Sequence, residues 1–197
     1  VHDLRFALDQ VLAAPDLAAR LDASRILAAG HSYGANTVLL AAGAQVQRQS
    51  GAVALRDPRL KAAVIISAPP FHGEAEPQNI VKAIGIPTLH ITATGDDIRI
   101  PKYLSTHVDR VRLYEQTGSP TKTLVVYREG SHSMFTDRLN TGGQALNPQV
   151  KRATLELTLA FFSEVFQGQA TPLSAWSQRH AGLVDRFESN RVPVTRQ

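Results

Sequence analysis

Leu27-Ala28-Ala29-Gly30-His31-Ser32-Tyr33-Gly34-Ala35-Asn36-Thr37-Val38 decides how the rest of the chain is read. An apolar segment runs into Gly-His-Ser-Tyr-Gly and then into a helical pattern, in the order strand, sharp turn, helix. A serine at the apex of such a turn is forced outward, its hydroxyl above the sheet. The cramped backbone favours small flanking residues, and a Cβ at either Gly30 or Gly34 is expected to collide with its neighbours. The turn also sets the Tyr33 N–H at a helix N-terminus, where the positive end of the dipole favours an oxyanion. Ser32 is the candidate nucleophile and the Tyr33 amide the candidate oxyanion donor. The same pentapeptide also suits a plain glycine-rich turn with an idle serine. An acid and a histidine in the right places would separate the two.

Upstream, Leu4, Leu8, Val11 and Leu12 have helical spacing, which predicts a helix over 3–14 with one core face. Pro15 ends it, 16–22 continues as short helix or loop, and 25–29 is a short buried strand. Downstream, the alanine-rich stretch from Gly34 to about Arg48 predicts a helix packed closely on a sheet. Residues 52–59 read as loop. Lys61 to Ala68 is apolar nearly throughout, the mark of a strand covered on both faces, as in a parallel sheet. Pro69-Pro70-Phe71-His72 follow at that strand's C-terminal end, the edge where open α/β sheets bind ligands, so they are candidate pocket residues.

A short helix is expected over 78–84 and a strand over 87–93, leading to Thr94-Gly95-Asp96-Asp97-Ile98-Arg99-Ile100-Pro101. Leu104, Val108 and Val111 mark a helix from about 101 to 116. Thr121 to Tyr127 is a β-branched strand leading to Gly130-Ser131-His132-Ser133-Met134-Phe135. Leu155, Leu159, Phe162 and Phe166 define a helix over about 148–167. The tail from 171 carries one amphipathic piece around Trp176 to Phe187. Four strands alternating with helices make an α/β fold with a parallel sheet flanked by helices. Right-handed crossovers bring the strand C-termini to one edge. The domain is expected over 1–170, with 171–197 as a tail packing on it.

Composition removes several alternatives. The 197 residues include no cysteine, which excludes a thiol nucleophile, a disulfide frame and thiolate metal sites. Lys and Arg number 21 against 17 Asp and Glu, but they are scattered singly, without the basic run or interleaved aromatics of a nucleic-acid surface. No apolar run approaches a membrane span. No H-x-x-x-H or carboxylate cluster points to a metal.

A serine hydroxyl is a poor nucleophile unless a base lies within hydrogen-bond reach and an acid holds that base in the right tautomer. Ser32, Asp96 or Asp97, and His132 follow one another along the chain, each on a loop after a strand. Here the chain resembles the α/β-hydrolases. Gly30 to Gly34 is similar to their nucleophile elbow, Gly95 to Pro101 to their acid loop, and Gly130 to Phe135 to their histidine loop. Asp3-Leu4-Arg5-Phe6-Ala7-Leu8-Asp9 and the Gly-His-Ser-Tyr-Gly elbow resemble the dienelactone-hydrolase-like and platelet-activating-factor-acetylhydrolase-like branch. The resemblance covers residues 1 to about 167. It implies a serine hydrolase acting on a small carboxylic ester, with a Ser32-His132-Asp97 triad and no cofactor. Asp97 is favoured because its spacing to Ile100-Pro101 suits the pattern, and Asp96 is the alternative acid. A non-catalytic binding module of the same fold, or an acyltransferase or peptidase using the same serine, would share these motifs.

The other histidines have plainer expectations: His31 packs beneath the elbow, His90 is a satisfied core residue, and His2, His107 and His180 lie at the surface. Members of the resembled family carry further strands before the elbow strand, with a second oxyanion donor after one of them. No glycine-rich or His-Gly loop precedes Gly30. The expectations are a sheet edge exposed beside the elbow strand, and cover for it from a preceding segment of a longer hydrolase or from another chain.

Overall fold

The computed structural model describes residues 1–48, 51–71, 76–100, 103–138 and 145–190. The chain opens with α1 (His2–Ala13) and α2 (Pro15–Ala18), Pro15 standing in the first helical turn where its missing N–H costs nothing. Leu4, Leu8 and Leu12 of α1 are half-buried, whereas Val11 is exposed. β1 (Ile26–His31) passes through Ser32 directly into α3 (Tyr33–Ala42). The helix expected to reach Arg48 stops at Gly43, whose φ of 125° breaks it. An antiparallel hairpin of β2 (Gln45–Arg48) and β3 (Gly51–Ala54) replaces both the end of that helix and part of the expected 52–59 loop. Alternation at Gln45-Val46-Gln47 buries Val46 alone, which is strand period rather than helix period.

β4 (Leu60–Ile66), α4 (Pro77–Val81) and β5 (Thr88–Gly95) follow the sequence expectations closely. The next helix does not start near 101. A second hairpin, β6 (Ile98–Ile100) and β7 (Tyr103–Ser105), comes first. α5 (His107–Gln116) then begins at a capping box in which Thr106 and Asp109 satisfy each other's backbone amides. Leu104 and Val108, two of the residues that marked the expected helix, are each 60% exposed, and the side chains α5 buries are Arg110, Leu113 and Tyr114.

β8 (Lys122–Ser131) is followed by α6 (Leu146–Gln167), α7 (Thr171–Arg179) and β9 (Val184–Asn190). The helix expected over about 148–167 is present as α6, but the leucines that defined it are not its core stripe. Leu155 and Leu159 are exposed, and Val150, Ala153, Leu157, Ala160 and Phe161 are buried. Alanines at two of those inward positions hid the stripe, since small residues carry little hydrophobic signal. The residues read as a tail supply α7, whose Trp176 is buried with its indole N–H on the Ala153 carbonyl, and a further strand.

The main sheet has the order β1-β4-β5-β8-β9. The first four strands are mutually parallel and β9 runs antiparallel to β8. Side-chain alternation on β4 divides the core. Ala63 and Ile65 join α3, α4 and Leu113 of α5 on one face; Ala62 and Val64 join α6 and α7 on the other. Leu157, Phe161 and Trp176 are nearly fully buried there, and burial of each large side chain contributes roughly 1.5–3 kcal/mol. Because β1, β4, β5 and β8 are parallel, the loops after them share one rim. β1 stands at the sheet edge, and among the described residues β4 is its one strand partner.

Candidate active site

Ser32 occupies the turn between β1 and α3 with φ 57° and ψ −125°, a backbone conformation rarely adopted by a residue with a side chain. Its N–H donates to the Ile66 carbonyl at 2.9 Å, which ties the turn to the neighbouring strand. An added Cβ on Gly30 would stand 2.3 Å from the Gly34 carbonyl oxygen, so close approach of strand to helix requires glycine at 30. The matching expectation for Gly34 is corrected: a Cβ there meets nothing within 4 Å. Its backbone makes the close contact, and its own side-chain position is open. The Tyr33 N–H opens α3, among the amides that no carbonyl of the helix itself can reach, and the Tyr33 side chain is 73% exposed.

His132 follows β8. Its Nε2 lies 2.9 Å from Ser32 Oγ and its Nδ1 lies 2.7 Å from Asp96 Oδ1. Asp96 follows β5 and has no exposed surface. Thr92 Oγ1 donates to its other oxygen at 2.7 Å, and Arg110 Nε stands 2.9 Å from the same oxygen. Burial pushes the Asp96 carboxyl up, but the bond to His132 and the Arg110 charge outweigh it and hold the group below the ordinary carboxylate range. An ionised carboxylate can only accept, so Nδ1 carries the proton, and Nε2 is left bare to accept from the Ser32 hydroxyl. That is the tautomer a base needs.

The sequence preference for Asp97 is corrected. Asp97 is half-exposed and its carboxylate receives the Arg99 guanidinium at 3.1 Å, away from His132. Spacing to Pro101 selected the wrong neighbour because Ile98 and Ile100 belong to the small β6–β7 hairpin. A usable signal lay fourteen residues after Asp96, where α5 carries an arginine in the stripe it shares with Leu113 and Tyr114. A buried cation needs a buried anion, and Asp96 is that anion.

Packing between the loops explains the alignment. A Cβ on Gly95 would fall 2.6 Å from the Gly130 carbonyl oxygen, so the acid loop and histidine loop touch backbone to backbone. The Glu129 N–H also donates to Thr94 Oγ1 at 2.7 Å. His31, expected to pack beneath the elbow, does more. Its Nε2–H donates to the His132 carbonyl at 2.9 Å, and the two rings lie 4.8 Å apart. Burial lowers the His31 imidazole below its ordinary range, which favours its neutral form.

His90 is buried as expected but is not satisfied. Its ring meets Tyr114 edge-on, its Nε2 has no hydrogen-bond partner, and burial together with the Lys122 charge lowers its pKa to about 3. His180, expected at the surface, is mostly covered, bonding Glu156 and lying 5.1 Å from the Trp176 ring. Pro70 and Phe71 border a cleft of about 100 Å³ with Pro77, Ile80, Asp109, Arg112 and Leu113. Neither Ser32 nor His132 lines it. Pro69 is buried, and His72 lies outside the described residues. Among the described residues no three His, Asp or Glu side chains gather to hold a metal ion, and no helix is long and apolar enough to cross a membrane.

No protein-family profile matches the chain, and no curated protein matches it. Solved structures do. The crystal structure of a candidate dienelactone hydrolase from Klebsiella pneumoniae subsp. pneumoniae aligns with TM-score 0.51 and 23% identity. The alignment covers 80% of this chain and 59% of that one, so the chain spans under two thirds of that protein's length. At this identity the likeness is one of fold. The chain has a dienelactone-hydrolase-like α/β fold, a mostly parallel sheet flanked by helices.

Proposed function

We propose that the protein is a serine hydrolase that cleaves a carboxylic ester through an acyl-enzyme, with Ser32 as nucleophile, His132 as general base and Asp96 as the acid. The observation that carries this is the continuous chain Ser32 Oγ, His132 Nε2, His132 Nδ1, Asp96 Oδ1, with links of 2.9 and 2.7 Å. Ser32 Oγ attacks the acyl carbon as its proton passes to His132 Nε2. Asp96 accepts the Nδ1–H bond and offsets the imidazolium charge. The carbonyl oxygen becomes an oxyanion and takes the Tyr33 N–H at the positive end of α3. His132 then returns the proton to the leaving alkoxide. In the second half it draws a proton from water, which attacks the acyl carbon and frees the acid and Ser32. The chemistry needs no cofactor.

Ser32→Ala is the test. The variant is expected to fold as the parent does and to lose turnover of p-nitrophenyl butyrate, and a fluorophosphonate is expected to label the parent alone. Unchanged ester hydrolysis in Ser32→Ala would rule the assignment out. A non-catalytic binding module of the same fold is the second reading, favoured by the single oxyanion amide identified and the open edge of β1. A parent chain that folds but takes no fluorophosphonate label would support it.

A further inference from the structure

The Asp96 carboxylate is shared between two partners on opposite oxygens, the His132 imidazole through Oδ1 and the Arg110 guanidinium through Oδ2. Arg110 is itself only 3% exposed. Its Nη1 is held by Ser105 Oγ at 2.8 Å and by the Thr106 carbonyl, which fixes the guanidinium from the end of β7 and the start of α5. Its Nε faces Asp96 at 2.9 Å without the alignment of a good hydrogen bond, so the contact acts chiefly through charge.

Building on the triad reading, we propose that Arg110 is a positioning residue that sets the pH range in which His132 works as a base. A fixed cation on the far side of the carboxylate cancels part of the field that Asp96 exerts on the imidazole. The His132–Asp96 pair then binds its extra proton less tightly, and the free base persists to lower pH. Two charges several ångströms apart inside a protein interact strongly enough to move a titration by a unit or more. The pair titrates as a unit, so the effect is read as one macroscopic step.

Arg110 is the cation in contact with the Asp96 carboxylate. Asp96 meets the uncharged Thr92 from β5, and the uncharged Ser67, just after β4, also lowers its pKa. His132 meets Ser32 and His31 from β1 and its turn; burial lowers the His31 pKa, and the Arg138 charge lies within electrostatic range of His31. Arg110 shares a cavity of about 10 Å³ with His90, which is neutral across the working range. Tyr103 of β7 lies within electrostatic range of Arg110, Asp109 and Tyr33. None of these replaces a cation on Asp96.

The test compares Arg110→Met, Arg110→Gln and Arg110→Lys with the parent, by kcat/KM on p-nitrophenyl butyrate and by fluorophosphonate labelling rate, from pH 4.5 to 9. Both neutral variants are expected to move the acid limb up by about one pH unit or more, so that on the acid side of the limb activity relative to plateau falls about tenfold below the parent's. The lysine variant keeps the charge and is expected to hold the parental limb. A residue of purely structural worth would lower the plateau and leave the limb in place. An unmoved limb in folded Met and Gln variants overturns the proposal, as does failure of all three variants to fold. Loss of the triad reading itself would show separately, as persistent turnover in Ser32→Ala.

Discussion

His31 donates its Nε2–H to the backbone carbonyl of His132 at 2.9 Å, so the residue just before the nucleophile holds the residue that sits on the nucleophile. The bond spans the rim from β1 to the loop after β8 and leaves the His132 side chain free. Its loss should let that loop drift without removing any reacting group. His31→Ala is expected to lower kcat about 10- to 100-fold with little change in KM, since a displacement near 1 Å costs about that much. His31→Gln, which retains an N–H donor, should recover part of it. Steady-state kinetics on a p-nitrophenyl ester will show whether KM carries the loss instead.

Asp96 and Asp97 are adjacent in sequence and opposite in circumstance. Asp96 is fully buried against His132, and Asp97 is half-exposed and paired with Arg99. Asp96→Asn is expected to reduce kcat by about a thousandfold or more, because an amide can leave the imidazole in the wrong tautomer. Asp97→Asn loses one surface ion pair and should stay within about twofold of the parent. Equal losses in the two variants would return the acid's role to the loop as a whole.

Sequence legibility tracked how strongly each signal is tied to backbone geometry. The elbow was legible because strand, strained turn and small-residue helix must occur in that order, and apolar β4 and β5 were legible because parallel strands are covered on both faces. The β2–β3 and β6–β7 hairpins were not, because β2 and β7 fall inside runs that also suit a helix, and β3 and β6 inside runs that also suit a loop. Leu155 and Leu159 misled because the true core stripe of α6 contains Ala153 and Ala160. The choice of acid turned on a contact with Arg110, fourteen residues away, which no spacing rule along the acid loop contains. His31 belonged to the quoted motif, but its bond to the His132 carbonyl exists only across the assembled rim.

Gly30 and Gly34 should part company under substitution. The Cβ of Gly30→Ala would stand 2.3 Å from a backbone oxygen, which no side-chain rearrangement can relieve. The expected loss is about 3 kcal/mol, or roughly 10 °C in Tm for a chain of this length. Gly34→Ala meets open space in the first turn of α3 and should be neutral or slightly stabilising. Thermal unfolding by circular dichroism decides it, and similar Tm values for the two would remove the steric account of the turn.

His90 gives the fold a pH dependence separate from the active site. Its pKa is about 3 in the folded chain, lowered by burial and by Lys122, against an ordinary value of 6.5 once unfolded. Between those limits the unfolded chain binds a proton that the folded one does not, so stability falls as pH drops from about 6.5 toward 3. Each unit of difference is worth about 1.4 kcal/mol, which makes the full effect several kcal/mol. Asp96 works in a lower window: its depressed pKa gives stability present above the ordinary carboxylate range and lost as pH falls through its folded value. Removing His90 should therefore flatten the stability curve between pH 6.5 and 4 without touching the Asp96 limb. His90→Leu also removes an unpartnered buried Nε2, so little stability at pH 8 should be lost with it. Urea unfolding of parent and His90→Leu at pH 4.5, 5.5, 6.5 and 8 measures the difference. Parallel curves would mean that the ring is protonated in the folded chain or reached by solvent.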